Sequence, residues 1–182
     1  MRIHSCITTV AAFVLMGLTA VASAQSCVST IPDATPDSRY KVNSNGTVVD
    51  LRTGLMWMRC AVGQSWDSQK SSCTGTASKY NWQNALLAVQ KLDNGNGYAG
   101  YNDWRLPNYR ELTSIVRFRC HDPAINETIF PNTPSDPFWT STPLAQGFGV
   151  DWSVHFLTGQ AGYMGYSNKQ PIRLVRGGAF GS

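Results

Sequence analysis

The chain has 182 residues, with 15 lysines and arginines against 11 aspartates and glutamates, a net charge of +4. So small an excess, with no basic run, argues against nucleic-acid binding. The length suits one domain with its own core, and the plentiful Gly, Asn, Ser, Thr and aromatic residues suit short strands joined by many turns.

The first residues point to export. Arg2 and His4 make a short basic start, Ile7 to Val21 is almost wholly apolar, and Ala22-Ser23-Ala24 supplies small residues for cleavage. This order predicts a secretory leader over 1–24, cut before Gln25. The remaining 158 residues carry 14 basic and 11 acidic side chains, a net +3. The apolar run is shorter than the roughly 20 residues a spanning helix needs, and no stop-transfer charges follow, so cleavage is preferred to anchoring. Cys27 raises the alternative of lipidation, but Ala24-Gln25-Ser26 before it fits a lipidation site poorly. No later segment reads as a membrane span. The product is therefore expected in the periplasm, at the cell surface or secreted.

Cys6 leaves with the leader, and Cys27, Cys60, Cys73 and Cys120 remain. An oxidising compartment and four cysteines imply two disulfides, with three possible connectivities. Cys60 and Cys73 flank a Gly/Ser-rich loop, which points to Cys60–Cys73 and, by elimination, Cys27–Cys120. Zinc would need close pairs such as C-x₂-C, and none is present.

Residues 25–39 hold two prolines and little apolar content, and read as an extended lead-in to a single domain over 40–180. Tyr40-Lys41-Val42 and Thr47-Val48-Val49-Asp50 flank Asn45-Gly46, a hairpin signal because Asn-Gly accepts positive φ. Leu55 to Met58 reads as a third strand after the Thr53-Gly54 turn. Cys60 to Lys79 reads as a polar loop. Trp82, Ala85, Leu86, Val89 and Leu92 recur at helical spacing, with Asn81 as cap and Asp93-Asn94-Gly95 as stop. A second helix is predicted after Pro107, opened by an Asn108/Glu111 capping box, with Leu112, Ile115 and Val116 inward and an end near Cys120. His121 to Pro137 reads as a long ordered loop. Phe138 to Ser141 is a predicted strand. In the next, Val150, Trp152, Val154 and Phe156 alternate with Asp151, Ser153 and His155, as a half-buried strand requires. Ala161 to Tyr166 and Ile172 to Arg176 close the set. Strands, two helices and strands again argue an α+β fold whose small antiparallel sheet joins the two ends of the chain.

Several segments then align in order with a known family. They are Thr53-Gly54-Leu55-Met56-Trp57, Trp82-Gln83-Asn84-Ala85, Asp103-Trp104-Arg105-Leu106-Pro107 with Glu111-Leu112, Phe138-Trp139-Thr140-Ser141-Thr142, and Arg173-Leu174-Val175-Arg176-Gly177-Gly178. The ordered set resembles the Lcl C-terminal domain family, named after a bacterial collagen-like adhesin, and spans about 53–178. The resemblance implies a C-type-lectin-like fold, with two flanking helices and long binding loops, related in shape to formylglycine-generating enzymes. The namesake domain binds sulfated glycosaminoglycans. This chain lacks the namesake's collagen repeats, so trimeric avidity is not implied.

Each candidate contact residue competes with a packing role. Trp57, Trp82 and Trp152 lie on apolar stripes and read as core. Trp66, Tyr163 and Tyr166 are the aromatics expected at the surface. Arg110 and Arg117, seven apart on the expected second helix, with Arg119 nearby, are the candidate cations for sulfate, since guanidinium offers planar bidentate donors. Arg173 and Arg176 are a second candidate pair, with strand-end structural roles an equal reading. Asp103 and Arg105 are expected to pair at the corner before the second helix. Asp93-Asn94-Gly95-Asn96-Gly97 has calcium-loop composition, but the EF-hand pattern fails at Gly95 and Trp104. Lectin-like folds bind Ca²⁺ through loop carboxylates, yet no matching set can be placed. No G-x-S-x-G or H-E-x-x-H is present, and His121 and His155 share no metal spacing.

The sequence therefore predicts an exported, non-catalytic domain without a resident cofactor. Its expected ligand is carbohydrate or an anionic extracellular polymer such as a glycosaminoglycan. The alternatives are a protein-interaction module of an envelope or appendage assembly and an enzyme on the formylglycine-generating-like fold.

Overall fold

Four short antiparallel β-structures and two helices make up the fold in a computed structural model, which describes residues 25–145 and 149–178. The leader expected over 1–24 and the last residues of the expected domain lie outside the described residues.

The first large sheet contains β2 (Tyr40–Val42), β3 (Thr47–Asp50), β4 (Met56–Met58) and β11 (Val175–Arg176), in the order β11-β4-β3-β2. It joins the two ends of the domain, as expected. The β2–β3 turn is built by its own side chains. Asn45 Oδ1 accepts from the Thr47 hydroxyl at 2.7 Å, and Gly46 takes φ +81°. A Cβ at Gly46 would also lie 2.3 Å from the Tyr98 hydroxyl and 2.7 Å from the Trp66 ring. Val48 and Val175 both pair with Trp57, and this fully buried row anchors the core.

The three strands over 137–165 do not extend that sheet. β8 (Pro137–Pro143), β9 (Val150–His155) and β10 (Ala161–Gly165) form a separate three-stranded sheet in the order β10-β9-β8, with an irregularity between Trp139 and Pro143. The expected single sheet is thus two. A main core lies between them, where Leu112, Ile115, Phe130, Phe138 and Phe156 meet Trp57. A second core, with Trp104, Trp139, Ile172 and Leu174, lies under the first helix.

That helix, α1 (Trp82–Asn94), begins at Asn81, whose side chain accepts from the Asn84 N–H at 2.8 Å, and stops at Gly95. Its buried stripe is narrower than expected. Ala85 and Val89 are buried, while Leu86 and Leu87 are 38% and 54% exposed. The second helix, α2 (Tyr109–Ser114), opens with the predicted capping box but ends six residues before Cys120. Ile115 leaves helical geometry, Val116 bridges to Ile125, and the Arg117 N–H donates to the Ala124 carbonyl. Val116 and Ile125, both β-branched and buried, meet in this antiparallel bridge instead of another helical turn. Arg117 therefore does not share a helix face with Arg110.

β9 also differs from expectation. Asp151 and Ser153 are buried, whereas Trp152 is only half-buried. As the central strand, β9 is covered on the face that alternation alone assigned to solvent.

Two ribbons complete the fold. The Cys60 to Lys79 loop contains β5 (Ser65–Asp67) and β6 (Ser72–Thr74), tied by Cys60–Cys73. The lead-in supplies β1 (Ser26–Cys27), which pairs with β7 (Cys120–His121) and is closed by Cys27–Cys120. Both disulfides are the expected pairs.

Candidate ligand-binding face

The face around α2 is built on two ion pairs, one buried and one half-buried. Arg39 grips Asp50 with Nε to Oδ1 at 2.8 Å and Nη2 to Oδ2 at 2.5 Å. Asp50 also accepts from the Thr53 hydroxyl and the Arg52 N–H. Burial alone would raise its pKa, but these donors outweigh burial and hold the carboxyl below its usual range. The second pair is Arg117 with Asp33, a doubly hydrogen-bonded contact with Arg119 3.9 Å away. It fastens the lead-in against the segment after α2.

Between these anchors lies a depression of about 400 Å³ lined by Arg39, Arg52, Tyr109, Arg110, Thr113 and Phe118, among others. Arg52 sits in the β3–β4 turn and Arg110 on the first turn of α2, both exposed. Neither has an ion-pair partner among the described residues, whereas Arg39 is neutralised by Asp50. The depression thus offers two guanidiniums without an ion-pair partner among the described residues, one on a turn and one on a helix. The Tyr109 N–H donates to Thr142 Oγ1 at 2.8 Å, pinning the start of α2 to β8.

The other candidates disperse. Arg117 and Arg119 are engaged with Asp33. Trp66 is half-buried, with its indole N–H donating to the Ser44 carbonyl and Arg59 lying 4.1 Å over its ring. Tyr166 stacks on Trp82 with ring centres 4.8 Å apart. Tyr163 alone of the three aromatics is strongly exposed, at 65%. Arg173 is fully buried, and Arg176 pairs with Asp103 while lying 3.8 Å over the Tyr101 ring. The expected Asp103–Arg105 pair is absent. Arg105 instead makes two 2.7 Å bonds to Glu111 and one to the Gly177 carbonyl. Sequence reasoning missed Arg52, although an arginine in a tight turn after a strand is poorly placed for burial.

A larger open groove of about 740 Å³ runs beside α1, lined by Met58, Tyr80, Leu87, Lys91, Leu92 and Tyr98, among others. Asp93 serves the helix-ending turn, accepting from the Trp104 N–H at 3.1 Å. Among the described residues, no cluster of three or more His, Cys, Asp or Glu side chains is arranged to hold a metal ion.

A family model described as the Lcl C-terminal domain matches residues 46–176. The chain belongs to the Lcl C-terminal domain family. Comparison with curated proteins finds no match. Within this Lcl C-terminal domain the recognisable segments serve the scaffold. Trp57, Trp104 and Trp139 are buried, and Arg105 and Arg176 tie the corner before α2 to the closing strand. Buried tryptophans thus anchor several of the recognisable segments, while Arg52 and Arg110 lie on the surface. Membership speaks for a non-enzymatic extracellular domain.

Proposed function

We propose that this Lcl C-terminal domain is exported and binds carbohydrate or another anionic extracellular polymer, such as a glycosaminoglycan, without chemically changing it, on a C-type-lectin-like fold. The carrying observation is the depression in which Arg52 and Arg110 stand exposed without carboxylate partners among the described residues. Guanidinium groups bind sulfate and carboxylate through paired N–H donors. The two disulfides suit an oxidising compartment, and no helix of the described residues is long and apolar enough to cross a membrane. The four described cysteines are all in disulfides, and Asp33, Asp50, Asp103 and Glu111 are each occupied by arginine. These groups act as supports. Glycan-array and heparin-affinity measurements on the exported protein test the reading. Retention at low salt that weakens as salt rises is expected, and no retention on any ligand would contradict it.

The groove beside α1, with Leu87 at its rim, favours a second reading as a protein-interaction module. Affinity capture from the producing cell separates the two, since one stoichiometric protein partner would favour the second.

A further inference from the structure

The arginine depression has a neighbour of different character. A second depression, about 450 Å³, shares Tyr109, Thr113 and Phe118 with the first, so the two meet along one ridge. Its remaining wall is Trp152 and the segment Thr158 to Ala161, with no lysine or arginine. The Trp152 ring centre lies 5.0 Å from that of Tyr109, tilted by 37°. The indole is thus supported on one side while remaining half-exposed.

Tyr163 is the direct cross-strand partner of Trp152 in the β9–β10 pair. Directly paired residues project on the same face of a sheet, so the exposed phenol extends the aromatic surface beyond Trp152. Phe118, 58% exposed, marks the ridge. Gln160 is exposed at the rim, and its side-chain amide has no hydrogen-bond partner among the described residues.

Single exposed aromatics are ordinary on protein surfaces. Here a supported indole and an open phenol adjoin an amide and, across one ridge, two unpaired guanidiniums. The C–H face of a pyranose packs on aromatic rings, and rim amides can hydrogen-bond its hydroxyls. Small anions would need only the arginines.

We propose that Tyr109, Trp152 and Tyr163 form a sugar-stacking shelf continuous with the arginine depression. The ligand is a linear acidic polysaccharide, with charged substituents on Arg52 and Arg110 and a neighbouring ring on the shelf. This inference rests on the polyanion reading above and adds to it a requirement for rings.

Titration of the exported protein with a heparin-derived octasaccharide and with inorganic polyphosphate of similar charge tests it. Tyr163→Ala, at an exposed position, is expected to weaken octasaccharide binding about three- to tenfold and to leave polyphosphate binding unchanged. Gln160→Ala is expected to act in the same direction more weakly. The Arg52→Ala/Arg110→Ala double variant is expected to weaken both ligands. If Tyr163→Ala leaves octasaccharide binding intact, or weakens both probes equally, the shelf is overturned while a loss in the arginine variant keeps the cationic reading. If the wild type binds neither probe, or the arginine variant binds both normally, the cationic reading falls and the shelf with it.

Discussion

Arg173 and Arg59 lie side by side in the interior, Arg173 donating from Nη1 to the Arg59 backbone carbonyl. Neither guanidinium meets a carboxylate among the described residues. Arg59 is held by the Ile129 and Thr128 carbonyls at 2.7 and 2.9 Å and covers the Trp66 ring. Arg173 adds the Met58 carbonyl and Thr133 Oγ1 and lies 4.9 Å from the Phe130 ring centre. Burial pushes its pKa down to about 9, still above neutrality. Two cations held by backbone carbonyls and rings join β4, the 128–133 loop and the closing segment.

Arg173→Met removes the charge but leaves its acceptors unpaired. Hydrogen bonds to charged groups contribute about 1.5–3 kcal/mol each, so a loss of roughly 2–4 kcal/mol is expected in urea denaturation. Arg173→Lys keeps the charge without the fork and should fall between that variant and wild type.

The pH profile should have two opposed arms. Burial pushes the Asp151 carboxyl up to about 6, against the bond from the Trp152 N–H, and its Oδ2 has no hydrogen-bond partner among the described residues. The native state then holds a proton between about pH 4 and 6 that the unfolded chain has lost, so this contribution to stability disappears as pH rises through that window. Asp33 and Asp50 are held below their usual range despite burial by their arginine partners, so their contribution is lost as pH falls below about 4. Asp151→Asn should raise stability at pH 7 by about 1–3 kcal/mol and flatten the fall between pH 4 and 6. Denaturation of both proteins across pH 3–8 measures it.

The disulfides should differ in worth. Cys27–Cys120 closes a sequence separation of 93 and Cys60–Cys73 one of 13. Restriction of the unfolded chain alone gives about 4–5 and about 3 kcal/mol. Paired Cys→Ser variants should therefore lose stability in that order, measured by denaturant unfolding.

Gly46→Ala meets two obstacles at once, a positive φ and the Tyr98 and Trp66 side chains. A loss of about 2–4 kcal/mol is expected, with a change in near-ultraviolet circular dichroism as the Trp66 contact shifts.

What could be read from the sequence was local. The Asn45-Gly46 turn, the Asn81 cap and the Asn108/Glu111 box each act within a few residues, so their letters sufficed. The division into two sheets was not legible, because strand alternation records burial and not partner choice. β9 shows the limit, since Asp151 and Ser153 point into a covered face. The site behaved likewise. Arg110 was recognisable on its helix. The loss of Arg117 to Asp33 depends on a contact 84 residues away, and the recognisable segments place Trp57, Trp104 and Trp139 in the interior.

Binding of polyanion by Arg52 and Arg110 is tested by heparin-column elution of the Arg52→Glu/Arg110→Glu variant beside wild type and a Lys70→Glu control at the tip of the β5–β6 ribbon. Wild type and control should be retained and elute at similar salt, while the double variant passes through at low salt with its unfolding midpoint unchanged. Elution of the double variant together with wild type would contradict it.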